Sequence, residues 1–412
     1  MEPTRNPWDI IDGMSGFTKN RLERMHRVLS GYVERGDLPG LTALVARDDH
    51  VHIETIGTLA VGETAPMRRD TIFRVASIAK PVTAVAAMIL LEECKLRLDD
   101  SIEPWLPELA NRRVLKSLAS EIEDTVPAHR AVTVRDLLTS RMGFGSVMAM
   151  PDTYPIQRSI RDLQIGGDGP PLPGRLPSEA VWLERFASLP LIAQPGQRWM
   201  YHTSVDVLGL LIARVCGKSL GTFMRERIFE PLGMRDTGFF VPTEKLDRFA
   251  TSYRFDRESN ELAVFDGVAD SAWHGQPPAE SGGGGLVSTL DDYFAFAGMM
   301  LARGAFGSEQ ILSRASVELM TSDHNTPEQR AGMEIFFGAH SSWAFGMAVN
   351  IARDEIYRTP GRFGWDGGLG TTAYVDPAER TIGILFTQRA MDSPEPPAIF
   401  SDFWTLAYEA IA

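Results

Sequence analysis

Apolar side chains recur at Leu22, Met25, Val28, Leu29, Tyr32 and Val33. That spacing marks one face of a helix and predicts an amphipathic helix over residues 18–35. The next segment, Leu41 to Gly62, holds two β-rich runs on either side of Asp48-Asp49 and reads as a hairpin. From Ser77 to about Lys95 the pattern changes: side chains are apolar nearly all round, as in a helix buried in the middle of a domain. Pro81 falls in its first turn, where a missing N–H costs least. Residues 100–280 read as mainly helical with long loops. The stretch 166–178, GGDGPPLPGRLPS, cannot be regular structure. It fits a lid or pocket wall as well as a surface excursion. Strand patterns return at 343–351, 371–376 and 381–388, and an aromatic-rich helix over 398–410 closes the chain.

Hairpins towards both ends of the chain around a helical middle predict an α+β fold. Its sheet is antiparallel and flanked by the N- and C-terminal helices. The expected division is a sheet domain of residues 1–76 and 281–412 with a mainly helical insertion of residues 77–280.

Composition adds exclusions. The chain has 412 residues, 44% hydrophobic and 23% charged, enough for a large core. A net charge of −13 argues against a nucleic-acid partner, which needs a basic face. The first twenty residues show no apolar signal-like run, and the longest strongly apolar stretch, Thr83 to Leu91, is too short to cross a bilayer. No membrane partner is expected, and a cytoplasmic location is the default. Cys94 and Cys216 sit in apolar helical patterns and are expected to be buried free thiols.

Two serines compete for chemistry. Ser219 lies in GKSLG, which matches the G-x-S-x-G elbow. An elbow needs a strand before it, and the residues before Gly217 have helical spacing instead. Gly217 then reads as a C-cap and Ser219 as the N-cap of the next helix. A phosphate loop would need a glycine where Ile212 stands. Ser77 is the better nucleophile. It heads the buried helix, and Lys80 follows three residues later, on the same face and within reach. A lysine beside an all-apolar helix is costly unless partnered or neutral. The helix N-terminus also supplies free N–H groups for a developing oxyanion.

With Ser77-Ile78-Ala79-Lys80 in place, the chain resembles the serine β-lactamase and penicillin-binding-protein superfamily, and within its class C-like branch the family VIII carboxylesterases. Tyr201 sits where the family has the tyrosine of Tyr-x-Asn, with Thr203 in place of the asparagine. Trp365-Asp366-Gly367 sits where penicillin-recognising members have Lys-Thr-Gly or His-Thr-Gly. The block SGGGGLVSTLDDY (residues 281–293) is also familiar from this group; its glycines are expected to serve close strand packing, with Ser288 or Thr289 capping the following helix.

The resemblance implies a β-lactamase-like fold with the active site at the interface of its two parts. It implies acyl transfer through Ser77, with Lys80 and Tyr201 sharing the proton work. An ordinary lysine or tyrosine titrates near pH 10, so making either a free base at neutral pH takes roughly 4 kcal/mol of environment. The two would titrate as a pair, and the base stays unassigned between them. The implied oxyanion hole is the backbone N–H of Ser77 and that of Gly368. Trp365, Asp366 and Gly367 are the implied substrate-binding residues. Trp365 cannot pair with a substrate carboxylate and offers a flat apolar wall, unless it is simply a core residue beside the site. Losing the amide at Thr203 removes a grip on substrate amides. Small neutral esters are therefore favoured. A β-lactamase, a D,D-peptidase or an acyltransferase remains possible on the same residues, and so does a non-catalytic binding protein. No cofactor and no metal are implied: His50 and His52 share a strand face without a third ligand, and His202 reads as a turn or pocket-rim residue.

Overall fold

The computed structural model describes residues 16–166 and 172–411. Its centre is a seven-stranded sheet built from both ends of that range. Gly40–Arg47 (β1) and His50–Gly57 (β2) form one edge. Ser341–Trp343 (β3), Ala348–Asn350 (β4), Phe363–Gly367 (β5), Thr371–Asp376 (β6) and Thr381–Thr387 (β7) supply the rest. The order is β3-β4-β5-β6-β7-β1-β2, and every neighbouring pair is antiparallel. β1 pairs β7 from Leu41↔Thr387 to Arg47↔Thr381, which joins the two ends of the chain.

Strand alternation gives this sheet two buried faces. Leu41, Ala43, Val45 and Leu385 pack with Met25 and Leu29 of the helix Lys19–Glu34 (α1) and with Phe400, Phe403 and Trp404 of the C-terminal helix. Leu44, Ala46, Ile382, Ile384 and Phe386 turn the other way, into the core that contains the helix Ala79–Glu92 (α2). Every residue of α2 from Ala79 to Leu90 is buried, as an all-round apolar helix requires. The helix Thr203–Cys216 (α3) packs against α2, and Leu290–Leu301 (α4) lies under the sheet beside β7. Ala398–Ala410 (α5) ends the fold. Gly217 caps α3 with φ 67°, and the Ser219 hydroxyl accepts the Thr222 N–H to start the next helix, so Ser219 is the cap its flanking patterns predict.

Several expectations need correction. Residues 343–351 are not one strand: Trp343 ends β3, the chain reverses through Gly346 at φ 71°, and Ala348–Asn350 form β4. The middle of the chain is less purely helical than its periodicity: Arg113–Leu115 pairs Thr125–Pro127, and Ser252–Asp256 pairs Glu261–Asp266. Cys94 is exposed just past the end of α2 and Cys216 is half-buried, so neither is the fully buried thiol expected. Within the loop 166–178, residues 167–171 lie outside the described residues, and Pro173–Arg175 forms one 3-10 turn. The glycines of 281–285 sit in turns and not in a strand. They lie against the Val205 carbonyl oxygen and the side chains of Thr83, Asp206 and Phe239. Thr289 caps α4 by accepting the Asp292 N–H.

Candidate active site

Ser77 lies in a 3-10 turn, Ala76–Ile78, that leads into α2. The turn is reached through Ala76, a non-glycine residue at φ 47°, an uncommon backbone state for an alanine. The sheet fixes this corner. The Thr371 hydroxyl donates to the Val75 carbonyl at 2.8 Å. A Cβ at Gly367 would lie 2.5 Å from the same carbonyl oxygen, so only glycine lets the end of β5 approach the Ser77 turn this closely.

One turn along, Lys80 has no exposed surface, while Ser77 keeps 8% of its own. The Lys80 Nζ hydrogen-bonds Ser77 Oγ at 2.8 Å, donates to the Gly283 carbonyl at 2.5 Å, and lies 3.2 Å from His202 Nδ1. Burial pulls the Lys80 pKa down to about 7, against the opposing pull of the Asp206 carboxylate. The phenol of Tyr201 completes the group. Lys80 Nζ sits 4.6 Å from the centre of the Tyr201 ring. The phenol hydrogen-bonds Ser77 and accepts the Trp365 Nε1–H at 2.7 Å. Burial pushes its pKa up to about 12, although both of these hydrogen bonds favour the phenolate. Burial thus favours the neutral amine and the neutral phenol together.

Aromatic packing holds Tyr201 in place. Its ring contacts Trp199 at 5.7 Å, Phe336 at 5.0 Å and Trp365 at 5.7 Å between centroids. Trp365 is itself 5% exposed and packs edge-on against Trp343, so it is a core residue whose N–H serves the site. Alternation along β5 turns Asp366 to the other face. There it meets the Tyr374 hydroxyl at 3.5 Å, and Tyr374 packs on Trp404 of α5. Asp366 is therefore not brought to the Ser77 group, whereas Trp365 and Gly367 are. Gly368 follows β5 directly and is partly exposed.

The periodicity of the chain does not reveal His202. It occupies a turn, as expected, but its ring reaches the lysine. With φ 80° and ψ −70°, and with the Thr203 N–H bonded to the Tyr201 carbonyl at 3.2 Å, His202 is the centre of a γ-turn, a strained conformation. Its Nε2 faces Asp206 Oδ2 at 3.1 Å. Asp206 Oδ1 also accepts the Ser281 hydroxyl at 2.7 Å and the Gly283 N–H at 2.9 Å. Burial alone would raise the Asp206 carboxyl, but these partners hold it at about 2. The signal that could have found this pair is the i, i+4 spacing of His202 and Asp206. Gly283 has no room for a Cβ, which would lie 2.9 Å from Asp206 Oδ1 and 3.1 Å from His202 Cε1.

A cavity of about 520 Å³ lies beside the site, lined by Ser146, Met148, Tyr154, Arg198, Met200 and Met333 among others. It touches the neighbours of Tyr201 but not Ser77, Lys80 or Tyr201 itself. His52 pairs with Glu54 at 2.7 Å, and no group of three metal-ligating side chains occurs among the described residues.

A serine, a buried lysine and a tyrosine meet at the head of a central helix, beside the antiparallel sheet of a β-lactamase-like fold. The chain belongs to the Beta-lactamase family, whose model matches residues 25–399. It is 36% identical over 371 residues to an uncharacterised protein of Mycobacterium tuberculosis, covering 87% of this chain and 88% of that one. It is 29% identical over 393 residues to the esterase EstB of Burkholderia gladioli, covering 91% and 92%. Among solved structures it is similar to EstCE1, a hydrolase with promiscuous acyltransferase activity, with a TM-score of 0.77, 24% identity and coverage of 95% and 99%. The chain is thus a member of the serine hydrolase superfamily with esterases among its relatives.

Proposed function

We propose that the protein is a cofactor-free carboxylesterase that cleaves small neutral esters through an acyl-enzyme on Ser77. The observation that carries this reading is the hydrogen bond between Ser77 Oγ and a fully buried Lys80 whose neutral form is favoured. As the ester carbonyl is attacked, the lysine amine takes the serine proton. The Tyr201 phenol, held protonated by burial, relays a proton to the departing alcohol. The N–H groups of Ser77 and Gly368 receive the oxyanion. Water then attacks the acyl-enzyme and releases the acid.

The preference for neutral esters rests on Trp365. It commits its N–H to Tyr201 and presents no charge to a substrate carboxylate. Trp365 shapes the site from within the core through Tyr201, and Gly367 lets the strand edge lie close to Ser77. The likeness to EstB supports the same assignment.

The test is a nitrophenyl-ester chain-length series run beside a chromogenic cephalosporin, on wild type and Ser77→Ala. Short esters should be the faster substrates, and Ser77→Ala should abolish turnover. Faster cephalosporin hydrolysis would replace the esterase reading with a β-lactamase one. Acyl transfer to an added alcohol in preference to water would replace it with an acyltransferase, the activity that EstCE1 carries beside hydrolysis.

A further inference from the structure

We propose that His202, oriented by Asp206, is a positioning residue that takes up the positive charge developing on Lys80, so that the site works as a Ser77–Lys80–His202–Asp206 relay. The inference rests on the Ser77 acyl-enzyme reading and extends it.

The geometry is a closed ring. Lys80 Nζ has three partners: Ser77 Oγ, the Gly283 carbonyl and His202 Nδ1. A neutral amine has two N–H groups and one lone pair. With the N–H groups on Gly283 O and His202 Nδ1, the lone pair is left facing the Ser77 hydroxyl, as a general base requires. This arrangement needs His202 to be neutral with its proton on Nε2. The carboxylate of Asp206 facing Nε2 selects that tautomer. Asp206 is in turn fixed by Ser281 and by the N–H of Gly283, whose carbonyl holds Lys80.

When Ser77 attacks, its proton moves to Lys80 Nζ, and the Nζ–H on the opposite side moves to His202 Nδ1. The resulting imidazolium keeps its Nε2–H on the Asp206 carboxylate. The proton returns through Lys80 when the alcohol leaves, so nothing is consumed. The titratable groups facing the imidazole are Lys80 from α2, Asp206 from α3 and the Tyr201 phenol, with Asp366 of β5 further off behind Tyr201. The segment from Ser281 to Gly285 brings only a hydroxyl and backbone groups. The γ-turn at His202 is strain spent on aiming this one ring.

The test is kcat and KM for a short nitrophenyl ester in wild type, His202→Asn and Asp206→Asn. Asparagine tolerates positive φ and keeps an acceptor for Lys80, but it cannot take a proton. His202→Asn should lower kcat at least about tenfold while KM stays within about twofold of wild type. Asp206→Asn should lower kcat as well, because the imidazolium loses its counter-charge, although losing the carboxylate by itself favours the neutral Lys80 amine. The relay is overturned if His202→Asn keeps the wild-type kcat. Should His202→Asn fail to fold, the kcat of Asp206→Asn decides: an unchanged or raised value overturns the relay. Failure of the underlying reading looks different: wild type would then hydrolyse no ester, and a fluorophosphonate would leave Ser77 unlabelled.

Discussion

Lys80 is a charged residue type placed where water does not reach, and the site depends on that conflict. In the unfolded chain its amine titrates near 10.5, and in the fold at about 7. Between these values the unfolded state binds a proton that the folded state lacks. The fold therefore gains stability as pH rises from 7 to 10.5 and carries the full penalty below 7. Lys80→Met, which fills similar volume without an amine, should abolish esterase activity yet raise stability by about 1–2 kcal/mol at pH 7. Urea titrations at pH 7 and pH 10 check this: the gain should shrink at the higher pH, and a loss of stability at pH 7 would contradict the account. The same burial predicts that kcat/KM rises with a midpoint near pH 7 or lower; a midpoint above 9 would mean an ordinary, solvated lysine.

At the scale of elements, the site depends on how closely β3–β4 and β5 approach α2. Gly346, at the β3–β4 turn, has φ 71°, and a Cβ there would lie 2.8 Å from the Lys80 carbonyl oxygen and 3.0 Å from the Ala84 Cβ. Gly346→Ala should therefore push the turn off α2, costing about 1–3 kcal/mol of stability and lowering kcat more than the change in KM accounts for. Thermal melting beside ester kinetics tests both halves. Unchanged kinetics with a lowered melting temperature would show that the turn only stabilises α2 and does not aim Lys80. Pattern alone places a strand over 343–351, but it cannot reveal this turn: alternating apolar residues look alike in one long strand and in two short ones.

Over the whole molecule, one buried ion pair ties Arg74, three residues before Ser77, to the hairpin of residues 252–266. Arg74 and Asp266 are each 2% exposed at the side chain and form a close ion pair, while Arg74 also lies 3.8 Å over the Phe249 ring. Asp266→Ala would leave Arg74 buried and unpaired, which should cost about 3–5 kcal/mol in urea unfolding and lower the yield of active enzyme. Asp266→Asn, which keeps an acceptor, should cost less. The tie itself is not legible in the sequence, since Arg74 and Asp266 are 192 residues apart. What the sequence determined by itself is local: the helices over 18–35 and 398–410, the buried α2, the caps at Gly217 and Ser219, the narrowing of the α4 cap to Ser288 or Thr289, and the spacing that puts Lys80 one helical turn from Ser77. Each follows from residues within a turn or a strand of one another, where backbone geometry alone decides who meets whom. Tyr201 and Trp365 could be assigned only by resemblance. Their meeting across 164 residues, the 122-residue contact between Lys80 and His202, and the facing of Asp366 away from the site were decided by the tertiary structure. Those contacts depend on which faces pack together and where the backbone bends through positive φ at Ala76 and His202, and neither is written in a local pattern.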